Sequence, residues 1–182
     1  MQATAVALLA APRLAQWRQR QGGAVAGSGS HDVEATLAEL ARHGLGGVNP
    51  DEAALRALVG ANRDGPLHFV NLLAFHDVAR YPDGHELASA ALSGAAAYAR
   101  YGAVALEHVE RRGGRLVLVN AVAQRLVGEG GLWHQVAIME YPHTGAFLDM
   151  VRDPQYAAAL VHRDAGLHRT EVLVTTPLLP TR

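Results

Sequence analysis

A near-continuous apolar run, LHFVNLLAF, occupies positions 67–75 directly after Gly65-Pro66. A run of this length behind a Gly-Pro break favours a strand over a helix, because helices of globular proteins are usually longer and show a polar face. Apolar residues at nearly every position are typical of a strand buried on both faces. We therefore interpret the run as the first strand of a sheet that is covered on both sides.

Helical and strand patterns alternate after this run. We predict a helix over residues 93–112 that ends at Gly113-Gly114, and strands over 115–127 and 132–141 joined by a Gly-rich hairpin at 128–131. Two helical pieces follow over 146–152 and 154–166, the second opened by Asp153-Pro154, and a last strand covers 167–176. This βαββαβ order predicts an α+β, ferredoxin-like fold with a four-stranded antiparallel sheet.

The residues before the predicted sheet form an N-terminal extension. We place the extension at 1–64 and the ferredoxin-like domain at 65–177. A short amphipathic helix is predicted within 1–21, a flexible Gly/Ala/Ser-rich segment at about 22–30, and two short helices afterwards. The first of these helices spans 32–43, and the second begins at Asn49-Pro50-Asp51-Glu52.

The predicted strands are more apolar than one layer of helices can hide. Examples are Val117, Val119, Val136, Ile138, Val172 and Val174. In this fold both helices cover the same sheet face, so the other face needs a cover of its own. We predict a homodimer packed sheet to sheet. The alternative cover is the N-terminal extension, and a monomeric mass in solution would favour it.

Composition excludes several classes of protein. The 182 residues contain no cysteine and no lysine, so disulfides, Cys-ligated metals, cysteine nucleophiles and Schiff-base lysines are excluded. A net charge of −1 argues against a nucleic-acid partner. No apolar run is long enough for a membrane helix, and the first apolar stretch makes a poor signal peptide. We expect a soluble cytoplasmic protein with no membrane partner.

Several short motifs lie along residues 50–177. They include Asn71-Leu72-Leu73-Ala74-Phe75, Tyr98-Ala99-Arg100-Tyr101-Gly102, Glu140-Tyr141-Pro142, Asp153-Pro154-Gln155-Tyr156 and His162-Arg163. Together they resemble the bacterial domain-of-unknown-function family thirteen-thirty. The resemblance implies a dimeric α/β barrel, a superfamily that also holds antibiotic-biosynthesis monooxygenases and muconolactone-isomerase-like enzymes. It implies no established reaction. The family pattern has a basic residue at the place of Ala74, so an anion contact there is in doubt.

Four residues are candidates for substrate binding. Asn71 interrupts an apolar strand, and a buried amide must find partners in a ligand or in neighbouring backbone. Tyr98 and Tyr101 share a helix face, where they line either a pocket or a core. Trp133 is the fourth; since it adjoins His134 on a predicted strand, only one of the two can face a given pocket.

Three residues are candidates for catalysis. Arg163 follows Tyr156 and Leu160 at helical spacing on the stripe that should meet the sheet. Its guanidinium could hold a carboxylate or enolate ligand, or pair internally with Glu140 or Glu171. Among the 10 histidines, His162 adjoins Arg163 and His76 follows the first strand, so both are candidates for proton transfer.

Two functions follow from these candidates. The first is a small-molecule enzyme performing acid–base chemistry on an activated carbonyl or phenolic substrate, by isomerisation, cyclisation or cofactor-independent oxygenation. The alternative is a non-catalytic dimeric protein that binds a metabolite or a partner. No dinucleotide loop or local metal motif occurs, so we expect neither a cofactor nor a metal.

Overall fold

The computed structural model describes residues 33–42 and 44–178. The helix predicted within 1–21 and the flexible segment at 22–30 lie outside them. The described helices are α1 (Val33–Ala41), α2 (Glu52–Ala61), α3 (Gly94–Arg111), α4 (Thr144–Val151) and α5 (Pro154–Gly166). The strands are β1 (Leu67–Phe75), β2 (Arg115–Ala121), β3 (Gln135–Tyr141) and β4 (Leu167–Thr175).

The four strands form one antiparallel sheet in the order β2-β3-β1-β4. The two long central pairings place Asn71 of β1 between Ala137 of β3 and Val172 of β4. Together with the chain order βαββαβ of the domain, this arrangement is the ferredoxin-like topology. The predicted fold class is therefore confirmed.

Local side chains set the points at which the helices begin. Ser93 precedes α3 and its hydroxyl accepts the Ala96 N–H at 3.1 Å, while Asp153 precedes α5 and accepts the Gln155 N–H at 2.9 Å. Both starts agree with the sequence prediction. Helix α4 begins two residues earlier than predicted, because the His143 ring accepts the Ala146 N–H at 3.1 Å and serves as the cap.

The predicted hairpin between the second and third strands is wrong in its extent. We expected strands up to residue 127 and from residue 132, whereas β2 ends at Ala121 and β3 starts at Gln135. Leu126, Val127 and Leu132 in the connection are 87%, 87% and 70% exposed. Apolar β-forming residues make a strand only where a partner strand pairs with them, and residues 123–133 have no such partner within the described sheet.

The two faces of the sheet differ in cover. On the inner face, which the helices α3–α5 cover, Leu67 and Leu73 are almost fully buried. On the outer face of the same central strand, Val70 and Leu72 are only half-buried. The expectation that β1 is buried on both faces therefore fails within a single chain, because no described element covers the outer face.

A charged triad lies on the outer face near one end of the sheet. The carboxylate of Glu140 accepts from Arg115 Nε at 2.8 Å and from Arg115 Nη2 at 3.0 Å, and lies 2.8 Å from His68 Nε2. The hydrogen bond from Arg115, with a further one from His68, lowers the pKa of Glu140 from 4.5 to about 2 against the opposing effect of burial. The triad therefore favours the folded state while Glu140 is ionised.

We expect Glu140→Gln to lower the free energy of unfolding at neutral pH by about 1–2 kcal/mol, since Arg115 is half-exposed and solvent weakens the pair. A carboxyl whose pKa falls on folding stabilises the protein above its unfolded pKa. The difference from wild type should therefore shrink as pH falls from about 4.5 towards 2. Urea titrations across this range measure it, with Glu110→Gln, at an exposed position of α3, as control. Parallel pH profiles for wild type and Glu140→Gln would contradict the assignment.

Within residues 33–42 and 44–178, none of the helices combines the length and the apolar character needed to cross a bilayer.

Candidate functional site

A cavity of about 550 Å³ lies between the inner face of the sheet and the helices. Alternation along β1 turns Phe69 and Asn71 into it, and their neighbours Ala137 and Val172 line it from β3 and β4. The wall is mostly apolar with a few polar groups, which is the usual character of a small-molecule site.

Helices α3 and α5 supply the opposite wall. Tyr98 and Tyr101 of α3 line the cavity, as the predicted helix face requires. Tyr156, Leu160 and Arg163 of α5 line it at the predicted spacing of four and three residues. The stripe that the sequence placed against the sheet therefore faces a cavity on that side.

The N-terminal extension supplies part of the wall through a segment that we call the strap, residues 44–51. Gly44, Gly46 and Gly47 have φ angles of 91°, 76° and 65°, which L side chains rarely adopt. They turn the chain between α1 and α2. The strap thus lies against the domain next to α5.

Arg163 is held by the strap. Its Nη1 donates to Asn49 Oδ1 at 2.7 Å and to Asp164 Oδ1 at 3.0 Å, and its Nη2 donates to the Val48 carbonyl. The side chain is 12% exposed. The internal pair considered from sequence, with Glu140 or Glu171, is wrong. Glu140 lies on the outer face with Arg115 and His68, and Glu171 lies on that face opposite Leu72.

Asn71 satisfies its amide nitrogen with backbone. Nδ2 donates to the Phe69 carbonyl at 2.9 Å and to the Ala137 carbonyl at 3.2 Å. Its Oδ1 accepts no hydrogen bond within the part of the chain that the structure describes, so an acceptor remains at the cavity wall. The sequence left open whether the Asn71 amide bonds neighbouring backbone or a ligand. Its nitrogen bonds backbone, and its oxygen remains available to a ligand.

The tyrosines of the wall form a connected group. The hydroxyls of Tyr101 and Tyr156 are 2.8 Å apart, and the Tyr98 ring packs 5.3 Å from those of Phe75 and Tyr101. Among the described residues the Tyr98 hydroxyl has no hydrogen-bond partner. Burial raises the pKa of Tyr98, so its phenol stays uncharged near neutral pH.

The two candidate histidines are not among the residues that line the cavity. His162 lies beside the loop between β1 and α3, where its Nδ1 is 2.9 Å from the Tyr81 hydroxyl and its ring is near that of His85. His76 packs against His168. Burial lowers the pKa of both His76 and His162. Their catalytic role, like that of Arg163, stays a prediction.

Trp133 also lies away from the cavity wall. The guanidinium of Arg169 stacks on its ring at 4.0 Å, while His134 accepts the Phe75 N–H at 2.9 Å. The two neighbours thus contact different parts of the molecule, and the binding role of Trp133 stays a prediction. In the described ranges, no group of three His, Asp or Glu side chains is placed to hold a metal ion.

Residues 84–177 match the model of the family described as Domain of unknown function (DUF1330). The chain belongs to this family. The family model covers α3 to β4, which include Tyr98, Tyr101 and Arg163 of the cavity wall, but not the strap. The predicted resemblance is confirmed, and the family description names no reaction.

The chain is also similar to proteins of solved structure. RPA0582, a protein of unknown function from Rhodopseudomonas palustris, is 34% identical with a TM-score of 0.67, and the alignment covers 75% of this chain and 100% of that one. Methylated RPA0582 is 35% identical with the same TM-score, over 75% and 98% of the two chains. A dabb family protein with a ferredoxin-like fold from Mesorhizobium loti is 14% identical, with a TM-score of 0.39 over 62% and 97%. No curated protein matches the sequence.

Sequence reasoning missed two contributors to the wall. Asn49 was interpreted only as part of a helix start, and nothing in its local pattern signals a contact with a residue 114 positions away. Gln135 lines the cavity with an amide that has no partner within residues 33–42 and 44–178. Its signal was available, since it alternates with Ala137 and Met139 on β3.

Proposed function

We propose that this protein binds one small, mainly apolar organic molecule per chain in the cavity between sheet and helices. The observation that carries the proposal is the cavity itself: about 550 Å³ walled by aliphatic and aromatic side chains. This volume falls within the range of roughly 300–1,000 Å³ typical of ligand sites. Val119, Val172 and Val174 of the wall are 49%, 42% and 41% exposed, so a bound apolar molecule would remove them from water.

Binding is favoured over acid–base catalysis by what lines the wall. An acid–base residue must come within hydrogen-bond reach of the proton that it transfers. His76 and His162 are absent from the residues described at the wall, and the Arg163 guanidinium is engaged by the strap. Isomerisation, cyclisation or cofactor-independent oxygenation therefore stays a prediction, while the binding protein is our proposal.

We further propose that a second copy of the chain covers the outer face of the sheet. This face carries half-buried Val70, Leu72, Val136 and Ile138, with Leu173 47% exposed. Covering apolar side chains on both copies removes them from water, at roughly 25 cal/mol per Å² of apolar surface. The resemblance of the motifs to a dimeric family supports the same arrangement.

Two adjacent residues of β4 allow the cavity and the proposed dimer face to be tested independently. Val172 lines the cavity and Leu173 lies on the outer face, with similar exposure of 42% and 47%. We expect Val172→Glu to weaken binding of the fluorescent probe N-phenyl-1-naphthylamine by about tenfold, because a carboxylate beside an apolar ligand costs more than 1 kcal/mol. Leu173→Glu should retain binding and instead reduce the mass in solution to that of one chain.

On the same samples, fluorescence titration measures probe affinity and light scattering measures the mass in solution. Probe binding that does not saturate, or that Leu173→Glu removes and Val172→Glu spares, would contradict the cavity as the site. A monomeric wild type would contradict the second copy and favour the N-terminal extension as cover.

A further inference from the structure

We propose that the ligand of the cavity is uncharged and carries a hydrogen-bond donor on an apolar, ring-sized body. The inference rests on the proposed function and names the class of ligand that the wall can accept. It departs from one of the two alternatives that the sequence left open for Arg163, a carboxylate or enolate ligand.

The charged groups of the described wall are already engaged. Only Arg163 and Asp51 among the lining residues that the structure describes carry a formal charge. The Asp51 carboxylate caps α2 by accepting the Ala54 N–H at 2.7 Å. The two charges are of opposite sign, so the wall offers no net charge to attract an ion.

The Arg163 guanidinium is also compensated by its partners. The Asp164 carboxylate lies 3.0 Å from Nη1, and both the Asn49 side chain and the Val48 carbonyl accept from the guanidinium. An anionic ligand would have to detach the strap or compete with Asp164 before it gained a full ion pair. Without such a pair, bringing a charge into this apolar cavity costs several kcal/mol.

The polar groups that remain available are neutral. Asn71 has used its amide hydrogens and offers only Oδ1, which calls for a donor on the ligand. Within residues 33–42 and 44–178, the Tyr98 hydroxyl and the Gln135 amide have no hydrogen-bond partner. Both residues lie near the end of β1, where Gln135 pairs with Leu73 and Tyr98 contacts Phe75. A hydroxyl or amine on an aromatic body can donate to Asn71 and lie against these groups.

Two probes that differ in one charge test the inference on the full chain. N-phenyl-1-naphthylamine is neutral, and 1-anilinonaphthalene-8-sulfonate is the same molecule with a sulfonate. Titrations with wild type and with Gly102→Leu, which narrows the cavity, define the cavity-specific part of each signal. We expect the neutral probe to bind the cavity at least about tenfold more tightly, a difference of 1.4 kcal/mol.

Arg163→Gln supplies an independent readout. If the guanidinium serves the strap, this change should alter the affinities of both probes by the same factor and leave their ratio within about twofold. A sulfonate probe that binds as tightly as the neutral one, or a ratio that rises tenfold in Arg163→Gln, would overturn the uncharged ligand while leaving the binding function intact. Insensitivity of both probes to Gly102→Leu would instead contradict the binding site itself.

Discussion

Replacing Gly166 by alanine should destabilise the protein by about 3 kcal/mol, roughly a hundredfold in the folding equilibrium. Gly166 ends α5 where this helix touches the start of α3. A Cβ atom there would lie 2.5 Å from the Gly94 carbonyl oxygen and 2.9 Å from the Tyr98 amide nitrogen. Both are backbone atoms, so the two helices would have to separate, and the Tyr98 ring would move with α3.

Gly102→Ala is the matched control, because Gly102 lies in α3 and an added Cβ meets nothing within 4 Å. Loss of a helical glycine should stabilise the protein by about 0.5–1 kcal/mol. Urea unfolding followed by circular dichroism, at equal chain concentrations, measures both variants. A Gly166→Ala protein that unfolds within 1 kcal/mol of wild type would show that α3 and α5 do not approach this closely.

Replacing Gly102 by leucine should weaken binding of N-phenyl-1-naphthylamine by roughly 30-fold, or about 2 kcal/mol. Gly102 lines the cavity, and a side chain built there enters open space rather than packed atoms. The isobutyl group would take volume that the probe needs without disturbing α3. The reduction therefore reports occupation of the cavity and not loss of the fold.

Gly60→Leu controls for the added apolar group. Gly60 is also helical and an added Cβ meets nothing within 4 Å, but it is exposed on α2 and is not part of the described wall. Its probe affinity should equal that of wild type in fluorescence titration. Equal affinity of Gly102→Leu and Gly60→Leu for the probe would show that the probe binds outside the cavity.

Most of the fold could be predicted because its signals are local. Ser93 and Asp153 start α3 and α5 through hydrogen bonds to residues two or three positions away, and the apolar run of β1 has the length of its strand. The predicted extent of the hairpin was wrong because it depends on non-local contacts. Whether Val127 or Leu132 belongs to a strand depends on partners elsewhere in the chain, which the local pattern does not contain.

The candidate site was likewise predictable only where its signals are local in sequence. Helical spacing was sufficient to predict that Tyr98, Tyr101 and Arg163 lie on the helix faces that line the cavity. The partners of Arg163 could not be predicted, since Val48 and Asn49 come from a segment more than 110 residues away in sequence. Sequence adjacency to Arg163 did not place His162 at the cavity wall, since its ring hydrogen-bonds with Tyr81 instead. Its catalytic role stays a prediction.

Anomalous diffraction from crystals soaked in 6-bromo-2-naphthol tests the central claim most directly. The probe is uncharged, apolar and carries one hydroxyl donor, and the anomalous signal of bromine distinguishes it from solvent and protein atoms. The expected result is one bromine peak per chain inside the cavity, with the naphthol hydroxyl within hydrogen-bond distance of Asn71 Oδ1. Bromine found only on the outer face of the sheet, with no ligand density in the cavity between Asn71 and Tyr101, would contradict the account.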